Sequence, residues 1–286
     1  MQTSNWNTPL SCPSRYEGRV GIITGGASGI GKATAIQMIR EGGTVIVGDI
    51  NVVGGNFLVE ESRQNGYADK CHFFSCNVIR ENDIVQLTKY AEKEFSRLDL
   101  MVNCAGASGA IGKFLDTSTE DWDATFQLIL NSAFWGTKAA AKTMIRLETP
   151  GSVVNIASIA AVASGAAGSA YSAAKAAMIN MTQSAAINLG PHKIRCNAIC
   201  PSTIVTPLLV RGGDPGLLDR AALNAQPWPD VGRSEHIASV ILYLGSDQSK
   251  AVMGCVISAT GGMLAGGPAL FEWQSYDKKS GIVNLI

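Results

Sequence analysis

The sequence predicts a single α/β domain, and three observations carry that expectation. Apolar, β-branched runs near residues 20–23, 44–49, 98–102, 151–156 and 195–199 alternate with stretches of helical periodicity such as 52–66 and 81–95. The first run leads into Thr24-Gly25-Gly26-Ala27-Ser28-Gly29-Ile30-Gly31 and then a helix-like segment from 32 to 40, which is the order strand, glycine turn, helix. Finally, 286 residues with 46% hydrophobic content suffice to bury one large core.

The glycine turn is the first candidate site. Gly25, Gly29 and Gly31 let the main chain turn sharply, approach a pyrophosphate and seat the helix tightly on its strand. The helix N-terminus then directs unpaired N–H groups at the phosphates. Gly26, Gly31 and Lys32 also fit the G-x-x-x-x-G-K spacing of a magnesium-nucleotide loop, but the next residue is Ala33, which has no hydroxyl for the metal. Phosphoryl transfer is set aside on that ground.

Composition narrows the partners. Lys plus Arg (23) balances Asp plus Glu (23), leaving no positive surplus for nucleic acid or anionic lipid. The first twenty residues lack the apolar core of a secretory signal, and Lys175 with several hydroxyls interrupts the small-residue stretch 157–178. A soluble, cytoplasmic protein is expected. The seven cysteines are scattered, which reads as reduced, buried thiols, and Cys196 and Cys200 have no second pair nearby to complete a metal site.

Taken in order, residues 1–18 form an irregular arm carrying Trp6, Pro9 and Pro13. The second strand, 44–49, ends in Asp49, followed by Ile50. A carboxylate there either accepts hydrogen bonds from an adenosine ribose and repels a 2′-phosphate, or caps the next helix. Ser28 adds no positive charge, so NAD is favoured over NADP. A third strand is read over 70–78, with Asn77 and Val78 at its end, and His72 is treated as a strand residue rather than a catalyst. The fourth strand, 98–102, closes on Asn103-Cys104-Ala105-Gly106, at the strand end where an open α/β sheet holds its ligand. Asn103 equally suits a turn.

One long helix is expected from Ser118 or Thr119 to Arg146, with Asn131 in its apolar middle. On spacing, Asn131 is a bridge to a neighbouring backbone or part of a proton path. The fifth strand ends at Ala157-Ser158. Next, Tyr171 and Lys175 share a helix face. A phenol's pKa of about 10 is too high for proton exchange near neutrality, and an ammonium nearby lowers it. By spacing alone, however, such a pair is an ordinary helical pattern. The sixth strand, 195–199, precedes Pro201-Ser202-Thr203-Ile204-Val205-Thr206, and the run 207–229 reads as an apolar lid. A helix from 233 or 234 to 244, a strand at 256–258 and a tail at 264–286 complete the chain.

Together, Thr24-Gly25 to Gly31, Asn103-Cys104-Ala105-Gly106, Ser158, Tyr171-x-x-x-Lys175 and Pro201 to Thr206 resemble the short-chain dehydrogenase/reductase family over residues 18–262. The resemblance implies a doubly wound Rossmann domain over 19–263, with a seven-stranded parallel sheet and helices on both faces, assembled as a homodimer or homotetramer. It also implies roles. Tyr171 is the general acid or base on the substrate oxygen, Ser158 holds that oxygen, and Lys175 lowers the tyrosine pKa and binds the nicotinamide ribose. Asn131 supports a water linking Lys175 to solvent. Gly25, Ser28, Gly29, Ile30, Gly31, Asp49, Ile50, Asn77, Val78, Asn103, Ala105 and Gly106 contact NAD, with Pro201, Ile204 and Thr206 towards the carboxamide. Asn77 stands where the family commonly has Asp, Ser202 where Gly usually follows the proline, and Thr260 where an acid often precedes Gly261-Gly262.

The activity implied is reversible hydride transfer between a secondary alcohol and NAD, with no metal. Leu208, Leu209, Val210, Leu217 and Leu218 either line a pocket for an apolar, polycyclic substrate of steroid or terpenoid type or pack the lid on the sheet. Epimerisation or dehydration with bound NAD, and a non-catalytic nucleotide sensor, are the alternatives on the same fold.

Overall fold

Parallel strands need crossover helices, and those helices bury both faces of the sheet, which is why the central strands here are buried along almost their whole length. The computed structural model describes residues 14–163, 165–206, 226–228 and 230–265. Its elements run β1 (Val20–Thr24), α1 (Gly29–Arg40), β2 (Thr44–Asp49), α2 (Val52–Gln64), β3 (Cys71–Ser75), α3 (Glu81–Phe95) and β4 (Leu100–Asn103). They continue through α4 (Thr119–Phe126), a π-helical turn (Gln127–Asn131), α5 (Ser132–Arg146), β5 (Gly151–Ile156), α6 (Ser169–Leu189) and β6 (Ile194–Pro201). The short strands β7 (Ile204–Val205) and β8 (Gly232–Arg233) pair with each other, followed by α7 (Ser234–Gly245) and β9 (Val256–Ala259).

The main sheet has seven strands, all parallel, in the order β3-β2-β1-β4-β5-β6-β9. The chain winds outward from β1 in one direction and from β4 in the other. At this reversal the connections leave on opposite faces, and a crevice opens beyond the strand carboxyl ends. One face of the sheet is sealed by Met38, Ile39, Ile241 and Leu244 of α1 and α7, the other by Ile84 and Leu87 of α3 with Ala140 and Met144 of α5.

Several boundaries differ from the sequence expectation. β3 is confined to five residues, and β6 runs on through Pro201, which pairs with Ala259 at the sheet's edge side. The long helix expected over 119–146 is interrupted by the π turn, whose extra residue per turn offsets the faces before and after it. At the other end of the chain, the last residues of the arm are tied down. Tyr16 is fully buried and its hydroxyl donates to the Leu242 carbonyl at 2.7 Å, while Arg15 forms a paired 2.6 Å contact with the buried Glu41 carboxylate. The expected lid at 207–229 lies outside the described residues except for 226–228, as do 1–13 of the arm and 266–286 of the tail. Among the described residues no helix is long and apolar enough to cross a membrane.

Candidate active site

The glycine turn is held open by contacts that exclude larger residues. Gly25 has φ +68° and lies against the β4 loop so closely that a Cβ there would sit 2.8 Å from Ala105 Cα. At Gly31 a Cβ would meet the Gly25 carbonyl oxygen at 2.3 Å. Thr24 joins the two halves of the sheet at this point: its hydroxyl donates to Val102 O and accepts from the backbone N–H of Cys104 at 3.1 Å and Ala105 at 3.3 Å. Sequence reading placed Thr24 in the motif without seeing this bridge. Ser28 precedes α1 with extended backbone and makes no side-chain cap, so the first N–H groups of α1 face the crevice.

Asp49 does not take the helix-cap role, one of the two that the sequence leaves open for it. Its Oδ2 accepts from Ala27 N at 3.0 Å and its Oδ1 from Asn51 N at 2.9 Å, while α2 is capped by Asn51, whose side chain accepts from Gly54 N. The carboxylate therefore pins the glycine turn to the end of β2 and does not cap the helix. A cleft of about 330 Å³ runs along these strand ends. It is lined by Gly25, Ser28, Gly29, Ile30, Gly31, Asp49, Ile50, Asn77, Val78, Ala105, Gly106 and Thr206 of the expected set, by Cys104 of the same Asn103–Gly106 turn, and by Gly48, Cys76, Ala107 and Leu128, which were not anticipated. Asp49 is the one charged side chain in that lining. The Asn77 side-chain oxygen accepts from Ile79 N at 3.3 Å, which holds the β3 exit loop and leaves the amide donors available. Burial pushes the Cys104 thiol up to about 11 and the Cys76 thiol up to about 12, so both line the cleft as neutral groups.

The cleft fits a dinucleotide on its own geometry. Two glycine positions would be filled by a Cβ, an uncapped helix N-terminus faces the middle, and an acceptor-only carboxylate stands at one end.

Next to this cleft, though not in its lining, are Ser158 after β5 and Tyr171 and Lys175 on α6, with Lys175 near enough to act on the Cys104 thiol. Ser158 follows β5 and opens a short 3₁₀ turn, accepting from Ala160 N at 3.1 Å, which leaves its O–H free to donate. Lys175, on α6, is 5% exposed, and its ammonium donates to the Ile156 carbonyl and lies 5.6 Å from the Tyr171 ring centroid. That one carbonyl is its hydrogen-bond partner among the described residues, so two of its three donors are open to a ligand. Lys175 and the Ser158 backbone N–H also both act on the Cys200 thiol, opposing the rise that burial gives it, which places β6's end in the same cluster.

Other expected site residues are placed differently. Asn131 ends the π turn, which packs on α6, and is exposed, with no hydrogen bond to Lys175 among the described residues. The residue facing inward is Ile129: it is 1% exposed, shares a core cluster with Tyr171, and its Cδ1 would be 3.3 Å from a Cβ on Gly106. Asn103 is also turned away from the cleft. Its amide donates to Ala133 O, Thr137 Oγ1 and, at 2.7 Å, Asn155 Oδ1, and Asn155 donates on to Thr182 Oγ1. It is a buried bridge between β4, β5 and α5, and Gly136 makes room for it. Pro201 and Ile204 are buried, in the β6–β9 and β7–β8 pairs, and do not line the cleft.

Comparison with known proteins agrees with this geometry. A family model described as enoyl-(acyl carrier protein) reductase matches residues 25–264. The chain is similar to a 3-oxoacyl-[acyl-carrier-protein] reductase, FabG, of Thermotoga maritima, at 36% identity over 250 residues covering 87% of this chain and 99% of that protein. It is also similar to (+)-borneol dehydrogenase 2 of Salvia officinalis, at 30% identity over 282 residues covering 93% of this chain and 96% of that one. A solved structure from Burkholderia xenovorans, titled as a short-chain dehydrogenase/reductase, superposes with a TM-score of 0.82 at 29% identity, covering 89% of this chain and 99% of the other.

Proposed function

Because the chain belongs to the short-chain dehydrogenase/reductase family, we propose that it is an NAD-dependent oxidoreductase interconverting a secondary alcohol and a ketone on an apolar, polycyclic small molecule of terpenoid or steroid type. The family uses a nicotinamide cofactor, which supplies the hydride acceptor or donor when bound. The observation that carries the reading is the buried Lys175 ammonium beside Tyr171, with Ser158 on the turn after β5 that packs on the same helix, next to a cleft that holds Asp49 and whose Cys104 thiol feels the Lys175 charge.

The chain's own residues account for the rest. Lys175, held by the Ile156 carbonyl, puts a positive charge beside the Tyr171 ring and keeps two N–H donors for a ligand. The Tyr171 oxygen takes the proton of the alcohol, or returns it in the reverse direction, while the Ser158 O–H orients the same substrate oxygen. Asp49 stands at the adenosine end, and the absence of any cation in the described cleft lining supports NAD over NADP.

The apolar substrate is supported by the loops that leave the strand carboxyl ends. Ile129 lies under Tyr171, and Ile111, Phe114, Leu115, Val162 and Trp228 are exposed on those loops. The name of the Salvia relative specifies borneol, a bicyclic secondary alcohol. We assign the working form to a cytoplasmic homodimer or homotetramer, to be measured by light scattering.

The test is a panel of cyclic and polycyclic secondary alcohols incubated with NAD, read by product analysis and by absorbance of reduced nicotinamide. Stoichiometric ketone and reduced cofactor are expected. Substrate consumed with no reduced cofactor would replace this reading with epimerisation or dehydration, and a folded, NAD-binding protein inert towards the whole panel would remove it.

A further inference from the structure

The opposite end of the sheet, where the strands begin, carries a second hollow of about 560 Å³. Its walls come from the residues that enter β1, β4, β5 and β6 and from the segment after α7, so it is lined by five separate stretches of chain. That volume is in the range of small-ligand sites. Five of its lining residues are cations (Arg19, Arg97, Lys193, Arg195 and Lys250) and two are carboxylates. In a chain whose net charge is +0, this is a local positive excess.

The carboxylates are already committed. Asp99 is almost fully buried, accepts from Val20 N at 2.8 Å and takes both forks of Arg97 at 2.7 and 2.8 Å. Asp247 takes Arg19 at 2.7 Å. Arg195 is held in place by neutral acceptors, namely Leu244 O at 2.6 Å, Ser249 Oγ at 2.8 Å and Ser246 O at 3.0 Å, and so keeps its whole charge. Lys193, at φ +59° after the 3₁₀ turn Gly190–His192, and Lys250 have no carboxylate partner among the described residues. Concentrated positive charge in a concave wall raises the local concentration of anions, and guanidinium forks match phosphate oxygens.

We propose that this hollow is a binding site for a small multivalent phosphate anion, separate from the cofactor cleft at the other end of the strands. The convergence of its cations from separate chain stretches into one concavity argues for a compact ligand such as inorganic diphosphate, since a nucleic acid would need an extended stripe of charge.

The experiment is a titration of the full-length protein with inorganic diphosphate at constant ionic strength, followed by thermal unfolding. Three proteins are compared: wild type, the double variant Lys193→Asn/Lys250→Gln, and the single variant Lys250→Glu. Asparagine tolerates the left-handed backbone of position 193, so that change removes charge without strain. Wild type is expected to show a saturable rise in Tm of about 2–4 °C, reduced by at least half in both variants. All three retain the glycine turn, so diphosphate bound there contributes equally and cancels in the comparison. NAD affinity, which the variants leave unchanged, reports that they are folded. An equal rise in wild type and variants, or none in wild type beyond a chloride control, overturns the proposal.

Discussion

Replacing Asp49 by asparagine removes one negative charge from the cofactor cleft while keeping the size of the side chain. In the native chain both carboxylate oxygens are occupied, by Ala27 N at 3.0 Å and Asn51 N at 2.9 Å. An amide can accept only one of these bonds, so the variant is expected to lose about 1 kcal/mol of stability. The larger consequence is electrostatic. Two unit charges about 5 Å apart interact by about 3 kcal/mol at an effective dielectric of 20 and by less than about 1 kcal/mol in water. Asp49 is half-buried, so a 2′-phosphate is expected to be disfavoured by roughly 1–3 kcal/mol, a factor of about 5 to 150. Titrating NAD and NADP against wild type and Asp49→Asn by calorimetry measures both ratios. Wild type is expected to prefer NAD by such a factor, and the variant to lose most of that preference. Equal affinities in wild type, or an unchanged ratio in a folded variant, would refute the assignment of Asp49.

Other outcomes follow from the packing and the buried thiols. Gly31→Ala puts a Cβ 2.3 Å from the Gly25 carbonyl oxygen, so the turn must open; NAD affinity is expected to fall at least tenfold with α1 still helical by circular dichroism. Gly136→Ala places a Cβ 1.9 Å from Asn103 Oδ1 and is expected to destabilise the fold by about 1–3 kcal/mol in urea unfolding, because the asparagine bridge has no room to shift. Burial pushes Cys71, Cys76 and Cys196 up to about 12 from an ordinary value near 9. Such raised groups contribute stability that is complete below the unfolded value and is lost as pH rises through the folded one, so Tm is expected to fall steeply between pH 9 and 12. A flat Tm across that window would contradict their burial.

The parts of this fold that were legible in the sequence are those written in short-range chemistry. The glycine turn declared itself because only glycine fits at 25 and 31, and the sheet because its strands are apolar on both faces. Asp49 was recognisable as a candidate, but whether it caps α2 was not, since that depends on Asn51 two residues later taking the cap. The π turn that ends at Asn131 was not legible, because such a turn has no marked sequence signature. Asn103 misled differently, because its partners on β5 and α5 are 30 to 52 residues away in sequence. The basic hollow was equally hidden, as its cations come from segments that meet only when the strands align.

The most direct test of the account is the oxidation of a bicyclic secondary alcohol in the presence of NAD by wild type and by Tyr171→Phe, with NAD affinity measured for both. The account predicts reduced nicotinamide and ketone in equal amounts from wild type, and a loss of turnover of at least about a hundredfold in the variant at unchanged NAD affinity. Turnover by the variant close to that of wild type would show that the Tyr171 hydroxyl moves no proton, and the reading of the site built on it would fall.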